Sequence, residues 1–73
     1  MITVSDLKSI ASYGGGMILD AKTISATDLK SIANYASAKQ AQIVIKNAGV
    51  ISASDLKSIA NFSKGCVVFD FCS

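Results

Sequence analysis

One nine-residue block occurs three times in this chain, and the repetition constrains the possible fold more than any other feature. The copies begin at Ser5, Thr27 and Ser54 and read SDLKSIASY, TDLKSIANY and SDLKSIANF. Each copy is followed by small residues and then by a short apolar run that ends in a charged residue: MILD, IVIK and VVFD. Apolar residues at helical spacing, followed by a bulky apolar run, predict a unit of helix, loop and strand that is repeated three times.

The start of each predicted helix carries the same capping signal. A hydroxyl residue stands three positions before an aspartate in every copy, which resembles a capping box: Thr3 and Asp6, Ser25 and Asp28, Ser52 and Asp55. An isoleucine before each hydroxyl residue and a leucine four positions after it form a hydrophobic staple: Ile2 and Leu7, Ile24 and Leu29, Ile51 and Leu56. The same two signals therefore specify where each of the three helices begins.

The ends of the helices are less uniform. We expect Gly14 to end the first helix and Gly65 to end the third region, whereas the second helix is expected to extend by a turn into residues 36–41. We also expect the aromatic residue that closes each block to pack its helix against the core: Tyr13, Tyr35 and Phe62.

Alternation of helix and strand over so few residues favours parallel strands joined by helical crossovers. A doubly wound sheet places successive helices on opposite faces, whereas identical stacked units place every helix on one face. We therefore predict an α/β solenoid of three repeats, with a three-stranded parallel sheet in the order 1-2-3 and helices on one face. Residues 1–73 form its single domain, and its repeats span about 2–22, 23–48 and 49–73.

This architecture is similar to that of leucine-rich repeats. Their period of about 20–29 residues is close to the spacings of 22 and 27 residues between Asp6, Asp28 and Asp55. The L-x-x-L-x-L-x-x-N signature of that class is not present, and an architectural resemblance implies no function.

The alternation of side chains along a strand predicts which residues lie on the sheet face away from the helices. The charged residues set the phase, because they are expected to avoid the helical side. This places six residues on an open, partner-binding face: Ile18, Asp20, Val44, Lys46, Val68 and Asp70. The inward set is Met17, Leu19, Ile43, Ile45, Val67, Phe69 and Phe71. The six residues of the open face form a charged row of Asp20, Lys46 and Asp70 and an apolar row of Ile18, Val44 and Val68. The alternative is that both rows only support the β-structure.

The edges of the sheet suggest a second contact. The predicted last strand, Cys66 to Phe71, is apolar apart from Asp70, so a partner strand or a second copy could add to it. Homodimer formation through this C-terminal strand edge is the first hypothesis for oligomerisation.

Composition excludes much chemistry. The chain has no His, Arg, Glu, Trp or Pro, so it has no histidine base, no histidine-containing zinc site and no arginine clamp for phosphate. Cys66 and Cys72 on one extended strand lie about 20 Å apart, whereas a disulfide needs Cα atoms within about 7 Å. Gly14-Gly15-Gly16 follows a helix and precedes a strand, the reverse of a phosphate-binding loop. We expect no metal and no cofactor.

The lysines offer a further interpretation. Lys8, Lys30 and Lys57 are equivalent and are expected to form a row on the outer helical surface, which is either a solvated face or a phosphate-contacting one. The net charge of only +2 and the lack of arginine disfavour nucleic acid.

The expected function is therefore a small non-enzymatic protein-binding module. It would be an inhibitor or adaptor that occludes a larger protein, as anti-CRISPR-like anti-defence proteins of phages or immunity-type proteins do. The alternative is a self-assembling structural repeat protein or a fragment of a longer solenoid. The chain shows no signal peptide and no apolar run long enough for a membrane span, so we expect a cytoplasmic location.

Overall fold

The computed structural model describes residues 3–71 and contains three helices and a three-stranded parallel sheet, which confirms the predicted α/β class. The elements alternate along the chain in the order α1 (Val4–Ser12), β1 (Met17–Asp20), α2 (Ala26–Ser37), β2 (Ile43–Lys46), α3 (Ala53–Ser63) and β3 (Val67–Phe69). A 3₁₀ turn, Ala48–Val50, lies between β2 and α3. The strand order is β1-β2-β3, so α2 connects β1 to the adjacent β2 and α3 connects β2 to the adjacent β3.

All three helices begin at the predicted hydroxyl residues. In α1, Thr3 Oγ1 accepts from the Asp6 N–H at 3.2 Å and Asp6 Oδ2 accepts from the Thr3 N–H at 3.2 Å, which completes a capping box. Ser25 and Ser52 accept in the same way from the backbone of the aspartate three positions on. Each hydroxyl satisfies a backbone donor that the helix itself leaves without a partner.

The longer second unit gains its five extra residues in small steps. Helix α2 has three residues more than α1, and the loops before β2 and after it are each one residue longer than those around β1. The helix stops at Ser37 rather than continuing to residue 41, because Gln40 adopts a left-handed conformation with φ 54°. The predicted extension is therefore shorter than a full turn.

The core lies between the sheet and the helical layer. Helix α2 packs against both α1 and α3, and the strand residues that face the helices, Leu19, Ile43 and Ile45, are buried. The largest fully buried side chains of the helices join them: Leu29, Ile32 and Ile59. Burying each of these side chains contributes roughly 1.5–3 kcal/mol, so the central unit supplies most of the core.

Two predictions about aromatic residues are wrong. The aromatic residue of each block does not pack into the core: Tyr13 is 87% exposed, Tyr35 48% and Phe62 44%. Phe71 does not point inward, because β3 ends at Phe69 and leaves Phe71 beyond it, 60% exposed. Its ring lies 6.1 Å from that of Phe69. The last strand is thus shorter than the predicted Cys66–Phe71.

Candidate functional site

The sheet face away from the helices carries an apolar row that crosses all three strands. Ile18 pairs in register with Val44, and Val44 pairs with Val68. Ile18 is 70% exposed, Val68 is 45% exposed and Val44, on the central strand, is half-buried. Side chains alternate between the two faces along each strand. Of the neighbours, Leu19, Ile43 and Ile45 are buried, and Met17, Val67 and Phe69 are partly buried against the core. The structure therefore brings the three predicted apolar residues together on one surface.

A charged row lies beside the apolar one. Asp20 is in register with Lys46. Asp70 follows the end of β3, where its N–H donates to the Ile45 carbonyl at 2.8 Å and its carbonyl accepts from the Ala48 N–H at 3.1 Å. These backbone bonds place Asp70 beside Lys46, on the side opposite Asp20. We call these three residues, with Ile18, Val44 and Val68, the open sheet face.

The carboxylate of Asp20 has a partner that the sequence did not indicate. Its Oδ1 accepts from the Lys22 N–H at 2.9 Å and from Asn47 Nδ2 at 2.8 Å. These bonds, first the one from Lys22 and then the one from Asn47, lower the pKa of Asp20, and the charges of Lys22 and Lys46 add to the effect. Asp20 therefore ties the end of β1 to the end of β2, in addition to its place beside Lys46.

Asn47 suits this position because of its backbone. It adopts a left-handed conformation with φ 58° and ψ 34°, which asparagine tolerates better than most residues. An asparagine directly after a strand is the sequence signal that would have indicated the turn, but the repeat provides no second copy of it: the equivalent residues are Ala21 and Phe71.

On the outer helical surface of residues 3–71, a shallow groove lies between each pair of adjacent helices. The first groove is lined by Ser5, Lys8, Ser9, Ser12 and Tyr35. The second groove is lined by Lys30, Ser31, Asn34 and Phe62. Apart from Ser5, the two sets occupy equivalent positions of the repeat. Each groove thus has a lysine and two small polar residues at equivalent positions of one helix and an aromatic residue on the next, and the first groove has Ser5 in addition.

The lysine row is not a uniform cationic surface. Lys30 Nζ lies 2.9 Å from Asp55 Oδ1, with both side chains about one-third exposed. The Lys30 ammonium, followed by the Ser52 hydroxyl, lowers the pKa of Asp55. Within residues 3–71, Lys8 and Asp28 occupy the equivalent positions but form no ion pair. The charge of Lys30, the central lysine of the row, is therefore balanced by Asp55 of the next helix.

Among the described residues, the Cys66 thiol is buried and three serine hydroxyls bond within their own helices. Cys66 is buried against the core, and this burial raises the pKa of its thiol, which lowers the thiolate fraction at neutral pH. The hydroxyls of Ser12, Ser37 and Ser63 each donate to a carbonyl one turn earlier in their helix. No group of three potential metal-ligating side chains occurs in residues 3–71. The predictions made for Cys72 lie outside the described residues.

None of the helices in residues 3–71 has the length and apolar character needed to cross a bilayer. The chain matches no protein-family model, and comparisons with curated proteins and with solved structures found no significant match.

Proposed function

We propose that this chain is a small, non-enzymatic protein-binding module that presents the open sheet face to a larger protein. In this proposal the three units form a short solenoid, similar in architecture to leucine-rich repeats, and the module inhibits or recruits its partner by occluding a surface. Anti-CRISPR-like anti-defence proteins and immunity-type proteins act in this way. The proposal places the module in the cytoplasm.

The single observation that carries the proposal is the in-register row of Ile18, Val44 and Val68 on the uncovered side of the sheet. An apolar row in solvent costs free energy that a partner surface would recover. The charged row beside it, negative, positive and negative in order, would fix the orientation of the partner, because charge complementarity contributes more to specificity than to affinity.

The surroundings of the Cys66 thiol, which is buried, and of the Ser12 and Ser37 hydroxyls, which donate to helix carbonyls, support the proposal that the module works without catalysis. A nucleophile needs a lowered pKa or an adjacent base, and the surroundings of Cys66 act in the opposite direction.

The test is capture of partners from a host lysate by the native chain and by Val44→Asp, with quantification by mass spectrometry. Val44 lies at the centre of the row, so a carboxylate there would face an apolar partner surface without hydration. Ile18→Asp is a second variant that disturbs folding less, because Ile18 is 70% exposed. Val50→Asp is the matched control, since Val50 is 60% exposed in the 3₁₀ turn outside the strands.

We expect both open-face variants to lose a specific partner that the native chain and Val50→Asp retain, with circular dichroism showing that all four chains are folded. A folded Val44→Asp chain that retains every partner would show that the open sheet face is not the binding surface.

A further inference from the structure

The two contacts between adjacent helices use the same positions of the repeat. On the leading helix a buried alanine lies under the contact: Ala11 of α1, 0% exposed, and Ala33 of α2, 1% exposed. On the following helix an aromatic residue closes the groove: Tyr35 on α2 and Phe62 on α3. The molecule therefore contains two examples of one interface, each with a small residue on one side and an aromatic residue on the other.

The two ends of the molecule present the halves of this interface without a counterpart among the described residues. Ala60 of α3 is equivalent to the buried Ala11 and Ala33, yet it is exposed. Tyr13 is equivalent to Tyr35 and Phe62, and its exposure of 87% is about twice theirs of 48% and 44%. We call β3 with Lys57, Ala60 and Asn61 the C-terminal end, and β1 with Asp6 and Tyr13 the N-terminal end. The two ends thus complement each other.

The sheet also has two complementary ends. Strands β1 and β3 are the outer strands of the parallel sheet that residues 3–71 form. Edge strands expose backbone donors and acceptors that a further strand can pair with. If β3 of one copy paired with β1 of the next in parallel, as β1 pairs with β2 and β2 with β3, the sheet and the helical layer would both continue.

We propose that copies of this chain associate head to tail, the C-terminal end of one copy against the N-terminal end of the next. Tyr13 of the second copy then closes a third groove on Lys57, Ser58 and Asn61 of the first, as Phe62 does on Lys30, Ser31 and Asn34 within one chain. The charges at the two ends are complementary. Lys57 of one copy faces Asp6 of the next, and these residues are equivalent to Lys30 and Asp55, which form an ion pair within one chain. Such a contact joins two different surfaces and so permits open-ended growth.

This interface is distinct from the open sheet face, so the two proposals can fail separately. It also differs from a symmetric dimer through the C-terminal strand edge, which would use the same end of both copies. Blocking one end separates the two arrangements. A symmetric dimer of C-terminal ends tolerates any change at Tyr13, whereas head-to-tail association requires both ends.

The experiment uses sedimentation velocity of the native chain, Tyr13→Lys and Ala60→Lys over a range of concentrations. Both substitutions are at exposed positions, and each places an ammonium group in the contact. The one introduced at position 13 would face Lys57, and the longer side chain introduced at position 60 would fill the space of a small residue. Ala38→Lys is the matched control, because Ala38 is an exposed alanine at the end of α2 in the central unit. Lys57→Asp is a second variant of the C-terminal end if Ala60→Lys does not fold.

We expect the native chain and Ala38→Lys to show a mass that increases with concentration, and each blocked variant alone to remain at the single-chain mass of 7.5 kDa. A mixture of Tyr13→Lys and Ala60→Lys should form a two-chain complex and nothing larger. The first variant keeps an intact C-terminal end and the second keeps an intact N-terminal end. The two blocked ends both carry an added positive charge and repel each other.

Three results would overturn the proposal. The native chain could remain at the single-chain mass up to about 1 mM, a concentration at which even a contact with a Kd of about 1 mM is half-formed. Tyr13→Lys alone could associate as the native chain does, which would indicate the symmetric dimer. The mixed variants could fail to form the two-chain complex while the native chain associates.

Discussion

The groove between α1 and α2 and the groove between α2 and α3 have nearly the same side chains at equivalent positions but different contacts. Lys30 and Asp55 form an ion pair at 2.9 Å across the second groove. Lys8 and Asp28, in the same places across the first groove, do not. The two pairs are separated by different lengths of chain, 20 residues from Lys8 to Asp28 and 25 residues from Lys30 to Asp55. Repetition of a sequence thus places equivalent side chains around both grooves without making their contacts equivalent.

The largest effect is expected from filling the space beneath each groove. Ala11 and Ala33 are both fully buried where adjacent helices meet, so Ala11→Leu and Ala33→Leu force added methyl groups into packed space. Overpacking of this kind costs about 1–3 kcal/mol. We expect similar losses in the free energy of unfolding for the two variants, measured by urea denaturation, because the grooves differ at their surface and not at their base.

Ala38→Leu is the control for these variants, since Ala38 is exposed and is expected to tolerate leucine within about 0.5 kcal/mol. If Ala33→Leu unfolds the chain while Ala11→Leu has no effect, the two helix contacts differ in depth as well, and the comparison drawn from the surface is wrong.

A smaller effect is expected from the aromatic walls of the grooves. Tyr35 and Phe62 are each about half-exposed, so truncation to alanine removes about half of the roughly 2–3 kcal/mol that burial of a large apolar side chain provides. Tyr13→Ala at 87% exposure should leave the stability of a single chain unchanged. Thermal unfolding of the three variants at low concentration measures this ranking, and a loss at Tyr13 equal to the other two would contradict it.

Much of the fold could be predicted from local signals. The hydroxyl and aspartate pairs indicated every helix start, and the charged residues Asp20, Lys46 and Asp70 indicated which sheet face is covered. The aromatic residues could not be placed in this way, because a large apolar residue on a short helix faces either the core or the neighbouring helix. That choice depends on the distance between helices, which no local pattern specifies.

The candidate site shows the same limit. Ile18, Val44 and Val68 occupy equivalent positions of the sequence repeat, and the sheet pairs them in register. The bond from Asn47 to Asp20 joins residues 27 positions apart at non-equivalent positions, so the repeat contains no trace of it. The repeat therefore predicts contacts that recur, and the contacts that occur once need the structure.

The electrostatic difference between the grooves can be measured directly with two double-mutant cycles. Lys30→Met with Asp55→Asn should show a favourable coupling that weakens as salt is added, because the pair is exposed to solvent. Lys8→Met with Asp28→Asn should show none. Urea denaturation of the seven chains, the native chain being common to both cycles, provides both couplings. Equal couplings in the two cycles would mean that Lys8 and Asp28 meet in solution as Lys30 and Asp55 do.

The smallest expected effect is a change of the free energy of unfolding with pH, which comes from the ion pair of the second groove. The pKa of Asp55 is held low in the folded chain, first by the Lys30 ammonium and then by the Ser52 hydroxyl. As the pH falls below about 4, the unfolded chain takes up a proton at this carboxyl before the folded chain does, so acid favours unfolding. The stabilisation is present above the ordinary pKa of an aspartate and is lost as the pH falls through the lower pKa of the folded chain.

Asp20 contributes in the same direction through the Lys22 amide and Asn47, so the slope of the native chain alone does not isolate the groove. Lys30→Met should reduce the slope of unfolding free energy against pH between about pH 5 and pH 2, and Lys8→Met should leave it unchanged. Asn47→Gly removes the amide that bonds to Asp20 while tolerating φ 58°, and so measures the part of the slope that comes from the Asn47 bond, while the bond from the Lys22 N–H remains. If Lys30→Met keeps the native slope, the ion pair has no influence on the titration of Asp55, and the electrostatic contrast between the two grooves does not persist in solution.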